Sequence, residues 1–161
     1  MQERTLIGEL DQHVGQEVSI SGWVDVRRDQ GKRRAALLAV VEVAGCPITV
    51  VGTHLAHFTH GSPVLLERLR RRLPRPDRPG VLAGDMNFWG PPLTLALPGW
   101  KRAVRARTYP SWRAHSQIDH IFVTRPVELI SGDALRIGNS DHWPLRAQVA
   151  FSADRFSRAR M

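Results

Sequence analysis

The sequence predicts an α+β domain, on three observations. Short β-rich apolar runs recur along the chain, Gly- and Pro-rich breakers separate them, and one segment has a helical period instead of a period of two. Leu6-Ile7 and Val14 to Trp23 read as two half-buried strands, with Val18 and Ile20 alternating against polar residues and Gly8, Gly15, Gly22 and Gly31 as punctuation. Ala35 to Val43 and Pro47 to Gly52 are apolar enough to be buried strands, and Ala44-Gly45 between them suits a hairpin. Ser62-Pro63 has the signature of a helix start. Leu65, Leu66, Leu69 and Leu73 then share one face, Arg68, Arg70, Arg71 and Arg72 lie largely off it, and Pro74 ends the helix. PRPDRPG is a loop, Val81 to Ala83 a short buried strand, and a Pro- and Trp-containing loop follows. Ile118 to Thr124, Pro126 to Gly132 and Leu145 to Phe151 are the closing strands, and residues 152 to 161 form a flexible tail.

Composition bounds the rest. With 161 residues, 42% of them hydrophobic and 24% charged, the chain is able to bury the core of one ordinary domain. No apolar run approaches the roughly 18 residues that cross a bilayer. The start, MQERTLIGELDQ, is too acidic and polar for a secretory signal, so a cytoplasmic location is expected. The one cysteine, Cys46, has no partner for an internal disulfide and no zinc-finger spacing around it, which suggests a small core residue. The net charge of +8 suits an anionic partner such as nucleic acid or a phosphorylated substrate, although arginine-rich composition alone would also produce it. That charge is uneven. Residues 1 to 32 hold four Lys/Arg against six Asp/Glu, and residues 33 to 161 hold nineteen against nine, so the balance moves from −2 to +10. The division suggests a β segment over 1–32 that is not a domain by itself, a domain over 33–151, and the tail.

Five polar blocks interrupt the second part: GTHL around His54, GDMN with Asp85 and Asn87, QIDHIF with Asp119, SDH with Asp141 and His142, and the WPL that follows. Strand ends are where a rigid sheet holds polar groups at an accessible rim. In order and spacing these blocks resemble the C-terminal half of the endonuclease/exonuclease/phosphatase superfamily, over residues 33 to 161. The resemblance implies part of a two-sheet β-sandwich flanked by helices. It also implies hydrolysis of phosphodiester or phosphomonoester bonds with Mg²⁺, or Mn²⁺ in its place, on a phosphate-containing substrate, nucleic acid being one class. Oligomeric state is left open.

The roles it implies suit the residue types. Asp141 becomes a ligand of the cation, since a hard divalent ion selects carboxylate oxygen. His142 bonds the phosphate or accepts the proton of the attacking water, and Asp119 fixes its tautomer through the far ring nitrogen. Asp85 aligns the water, and Asn87 and His54 donate to phosphoryl oxygens. Thr108 and Trp112, in a Thr-aromatic-Pro segment resembling the loop before the IDHIF strand, would line the entrance. Trp89 and Trp112 would stack on a flat group or simply pack. His57 and His60 are expected on the surface, and His120, next to Asp119 on a strand, on the opposite face.

The superfamily's first half supplies a Trp-Asn strand and a metal-binding glutamate, and residues 1 to 32 do not resemble it. HVGQEVSISGWVDVRRDQGK instead resembles the opening strands of the OB anticodon-binding domain of aspartyl- and asparaginyl-tRNA synthetases, where Arg27, Arg28 and Gln30 would meet tRNA. Five strands make that barrel, and here it stops at Lys32. The rival reading takes Gln16-Glu17-Val18 as the glutamate-bearing strand, with Glu17 a metal ligand, although the polar residues before it are unlike such a strand. Three functional readings follow: an esterase, intact or impaired; a catalytically silent, basic nucleic-acid-binding module; and a chimaeric or truncated product.

Overall fold

The computed structural model describes residues 36–43, 46–57 and 62–151. Seven strands and two α-helices follow in the order β1 (Leu37–Val43), β2 (Cys46–His54), α1 (Ser62–Arg70), β3 (Gly80–Asp85), α2 (Gly90–Ala96), β4 (Trp100–Arg102), β5 (Asp119–Thr124), β6 (Val127–Ala134) and β7 (Leu145–Phe151). Five strands make a mixed sheet in the order β1-β2-β3-β5-β4, and β6 with β7 makes a second, two-stranded sheet. The fold is the predicted α+β arrangement with two sheets. The predicted strands at 6–7 and 14–23, the 1–32 segment and the tail lie outside the described residues.

Alternation along the strands explains the layering. In β5, His120, Phe122 and Thr124 face the helices, and Asp119, Ile121 and Val123 face the second sheet. On the helix side Val51, Leu82 and Phe122 pack against Leu66 and Leu69 of α1 and Leu93 of α2, with Leu97 and Trp100 closing the cluster. On the other side Val123 and Val81 meet Val127, Leu129 and Val149 of the second sheet, with Val104 between. Each fully buried side chain of this size contributes about 1.5–3 kcal/mol relative to exposure. β2 and β3 run parallel, so the chain needs a crossover between them, and α1 is that crossover. β5 runs antiparallel to β3, which brings its first residue to the same rim as the last residue of β3.

Several boundaries differ from the sequence reading. The segment after GDMN was expected to be a loop, yet Gly90 to Ala96 is helical with Pro at the first positions. The fixed φ of proline suits a first helical turn, where its missing N–H is not needed. Arg102 Nη2 donates to the Gly90 carbonyl at 3.1 Å and to Thr94 Oγ1 at 2.9 Å, tying α2 to β4. β4, three residues long, carries too little pattern to register as a strand. Cys46, at the start of β2, is half-buried and not the fully buried core residue expected, since an end position covers it less completely. β1 is an edge strand whose Leu37, Leu38 and Val40 are exposed at 76%, 50% and 65%. No helix among the described residues is long and apolar enough to cross a membrane.

Candidate functional site

Three neighbouring strands place three of the site side chains side by side. In the strand registers His54 lies opposite Asp85, and Asp85 opposite Asp119. All three alternate onto the face turned away from the helices, at one rim of the sheet. Directly opposed residues on neighbouring strands hold their Cβ atoms about 5 Å apart. His54 Nε2 is 3.7 Å from Asp85 Oδ2, beyond hydrogen-bond length, and its side chain is 50% exposed against 15% for Asp85.

Two backbone features hold Asp85 there. Gly84 has φ 143°, and a Cβ on it would sit 1.8 Å from the Thr53 carbonyl oxygen, so only glycine lets β3 pass β2 this closely. Asn87 has φ 46°, a left-handed conformation that asparagine tolerates, and its chain therefore folds back onto the rim. The Asn87 backbone N–H donates to Asp85 Oδ1 at 2.7 Å, and its side-chain Nδ2 donates to Asp85 Oδ2 at 3.2 Å and to the Leu55 carbonyl at 2.8 Å. Both amide hydrogens are thus committed. The phosphoryl-donor role expected for Asn87 is not served by this conformation, in which it clamps Asp85. Burial raises the Asp85 pKa, the Asn87 N–H opposes the shift, and the Asp119 carboxylate adds to it.

Asp119 is the hub. His142 Nδ1 lies 2.8 Å from Asp119 Oδ2, so the carboxylate places the ring proton on Nδ1 and leaves Nε2 with its lone pair. That hydrogen bond raises the His142 pKa against the opposing effect of burial. Thr108 Oγ1 donates to the same oxygen at 2.5 Å. Thr108 is fully buried, so it braces Asp119 from behind and does not line the entrance as expected.

Asp141 and His142 do not end a strand, as the other blocks do. They sit in the loop between β6 and β7, which Leu135 N–H closes at its base by donating to the Pro144 carbonyl at 2.8 Å. The loop is pinned to the segment after Thr108: Ser111 N–H donates to the Asp141 carbonyl at 2.7 Å, Ser111 Oγ donates to the Ser140 carbonyl at 2.7 Å, and Trp143 N–H donates to the Thr108 carbonyl at 3.0 Å. His142 N–H donates to Ser140 Oγ at 3.2 Å, and the Tyr109 ring lies 4.8 Å from the imidazole. Sequence reasoning missed Tyr109, Ser111 and Ser140 as supports. Ser140, inside the SDH triplet, carried a signal; Ser111 had none.

The remaining candidates divide clearly. Trp112, in a 3₁₀ turn over Ser111–Arg113, is 77% exposed, and Trp89 before α2 is 69% exposed. Neither packs into the core. His57 is exposed, and Glu17, Arg27, Arg28, Gln30 and His60 lie outside the described residues. His120 does take the opposite face: it is buried, its Nε2 donates to the Phe88 carbonyl at 3.0 Å, and burial lowers its pKa to about 4.

Asp85, Asp119 and His142 offer ligand atoms within 4.8 Å of one another. Their hydrogen bonds argue against this trio as a complete cage for a hard cation. Asp119 Oδ2 already accepts from Thr108 and His142, and imidazole is a poor ligand for Mg²⁺. Asp141 is different: it is exposed, and among the described residues its carboxylate accepts one long hydrogen bond, from Ser140 Oγ at 3.5 Å.

The site thus sets a carboxylate-imidazole pair, with a second carboxylate on the neighbouring strand, at the rim of a helix-backed two-sheet fold. The model of the endonuclease/exonuclease/phosphatase family matches residues 11–142, and the chain belongs to that family. The match begins inside the segment read as synthetase-like, so most of that segment is shared with the family model. A search of curated proteins gives no significant match. Among solved structures, a humanised D. rerio TDP2 with 14 mutations is similar at 20% identity and TM-score 0.58, covering 71% of this chain and 60% of that one. An endonuclease/exonuclease/phosphatase from Beutenbergia cavernae is similar at 20% identity and TM-score 0.57, covering 72% and 39%. The mannosyl-6-phosphatase of Bacteroides thetaiotaomicron is similar at 17% identity and TM-score 0.53, covering 66% and 52%. At these identities the likeness is one of fold, and the chain spans between two fifths and three fifths of those structures.

Proposed function

We propose that the protein hydrolyses phosphoester bonds at the rim formed by His54, Asp85, Asp119 and His142. The observation that carries this reading is the Asp119–His142 pair, aligned in register with Asp85 and His54 at a solvent-accessible edge. Bound to Asp119 through Nδ1–H, His142 presents Nε2 as the group that takes the proton of an attacking water. Asp85, held by Asn87, orients that water. As the water oxygen bonds to phosphorus the ester P–O bond breaks, and the leaving oxygen carries off the electron pair. His54 donates from Nε2 to a phosphoryl oxygen.

A divalent cation, Mg²⁺ or Mn²⁺, would be held by Asp141, whose exposed carboxylate has the hard oxygen chemistry such an ion requires. On the rival reading of Gln16-Glu17-Val18, Glu17 would be a second ligand. When bound, the ion neutralises charge on the phosphoryl oxygens. Nucleic acid is one phosphate-bearing substrate class compatible with the site, and TDP2 has been solved with single-stranded DNA product.

The test is turnover of a chromogenic phosphodiester in Mg²⁺ by the full chain and by His142→Ala and Asp119→Asn. Each variant is expected to lose about 10²–10⁴-fold in rate, the range of general acid–base contributions. Because the two residues act as one unit, the double variant should lose little more than either single one. Unchanged turnover in both single variants would remove the reading.

A further inference from the structure

The sheet has a second pole, opposite the catalytic rim, and it is positively charged. α1 leaves the rim after His54 and carries the chain to the far end of the sheet, where β3 begins at Gly80. β5 ends at that same pole, since Thr124 lies opposite Trp100 at the start of β4. Three loops meet there in direct contact. Gly80 N–H donates to Thr124 Oγ1 at 2.8 Å, and a Cβ on Gly80 would meet Trp100, Pro74 and Thr124 at 3.0–3.3 Å. A Cβ on Gly99 would lie 2.5 Å from Pro76.

Arg71, Arg72, Arg75, Arg78, Lys101 and Arg125 all project from this junction, and all are exposed. Glu67 bonds Arg71 and Asp77 bonds Arg75, at 2.9 and 3.2 Å. Arg72, Arg78, Lys101 and Arg125 make no ion pair among the described residues. Exposed on touching loops and without an ion pair among the described residues, these four cations give the pole a positive local potential.

We propose that this pole is a second binding surface, for the phosphate backbone of a nucleic acid. Three of these four cations are arginines, whose planar forks match phosphate oxygens in pairs. The loops 71–79, 99–101 and 124–125 carry none of the exposed large apolar side chains that would anchor the surface in a lipid interface. The pole stands one β3 length from the catalytic rim, about 17 Å at 3.3 Å per residue. It therefore holds a polyanion independently of the Asp119–His142 pair, and the proposal does not depend on the protein being an esterase.

Fluorescence anisotropy with a labelled 20-nucleotide single strand tests it on the full chain. The double reversal Arg72→Glu/Arg78→Glu should weaken binding at least tenfold at low salt and reduce the slope of log affinity against log salt by about 1.4, at about 0.7 per lost phosphate contact. The milder Arg72→Gln/Arg78→Gln should lose about half as much in log affinity, with an unchanged circular-dichroism melt. Arg105→Glu/Arg146→Glu, which removes the same net charge elsewhere, should bind within about threefold of the parent. Equal weakening by the two reversals would overturn the proposal, because the effect would then be one of net charge. So would binding to phosphatidylserine vesicles with none to the oligonucleotide.

Discussion

Gly84 shows how one residue sets the site. Its φ of 143° and the 1.8 Å approach of a notional Cβ to the Thr53 carbonyl leave no room for a side chain. Gly84→Ala is expected to destabilise the fold by roughly 3 kcal/mol or more, since strain and a backbone clash add. An unfolding free energy from urea denaturation within roughly 0.5 kcal/mol of the parent's would show that β2 and β3 move apart at little cost. His120 makes a second residue-scale prediction. Its folded pKa of about 4 lies below the ordinary 6.5, so the unfolded chain takes up a proton first as pH falls. The His120 contribution is complete above pH 6.5 and is lost as pH falls toward 4, by roughly 3 kcal/mol in all. Urea unfolding between pH 7 and 4 checks this, and His120→Gln should flatten that part of the profile.

At the scale of elements, α2 and the β6–β7 loop carry the main lessons. Leu93, fully buried, is the side chain by which α2 joins the core beside Phe122 and Leu82. Leu93→Ala should cost about 2–5 kcal/mol, the range for an aliphatic truncation that leaves a cavity, measured by chemical denaturation. The loop holding Asp141 and His142 depends on Ser111, whose side chain and backbone each donate to it. Ser111→Ala removes the side-chain bond and keeps the backbone one. It is expected to lower turnover several-fold through loosened His142 geometry, with a melting temperature close to the parent's; equal turnover would show that the backbone bond and Trp143 suffice.

The legibility of these elements follows their physics. α1 could be read from its leucine period and its Ser-Pro start, and β2, β3 and β5 from apolar runs ending or beginning at a polar block. α2 was missed because two prolines in seven residues read as a break, although proline at a first turn favours helix. β4, with three residues, exists only because Trp100 to Arg102 finds β5 alongside. Thr108 was named for a substrate role and serves as a brace, a distinction of burial that sequence does not carry.

Over the whole molecule, two features are arranged on opposite poles of one sheet. The rim with His54, Asp85, Asp119 and His142 is acidic and imidazole-bearing, and the far loops are cationic. All six candidate site residues could be named from motif order, and the mutual placement of three of them follows from topology: a parallel β2–β3 step puts His54 beside Asp85, and the antiparallel β5 puts Asp119 beside Asp85. By itself the sequence determined the strand and helix periods, the family resemblance and the residue types able to do phosphoester chemistry, because these are local or ordered along the chain. Only the tertiary structure decided that Asn87 clamps Asp85, that Thr108 stands behind Asp119, that the Asp141 side chain is exposed and that the loop after α1 touches two distant loops to make one cationic pole. Each of those depends on hydrogen bonds and contacts between residues far apart in sequence, whose distances no local pattern encodes.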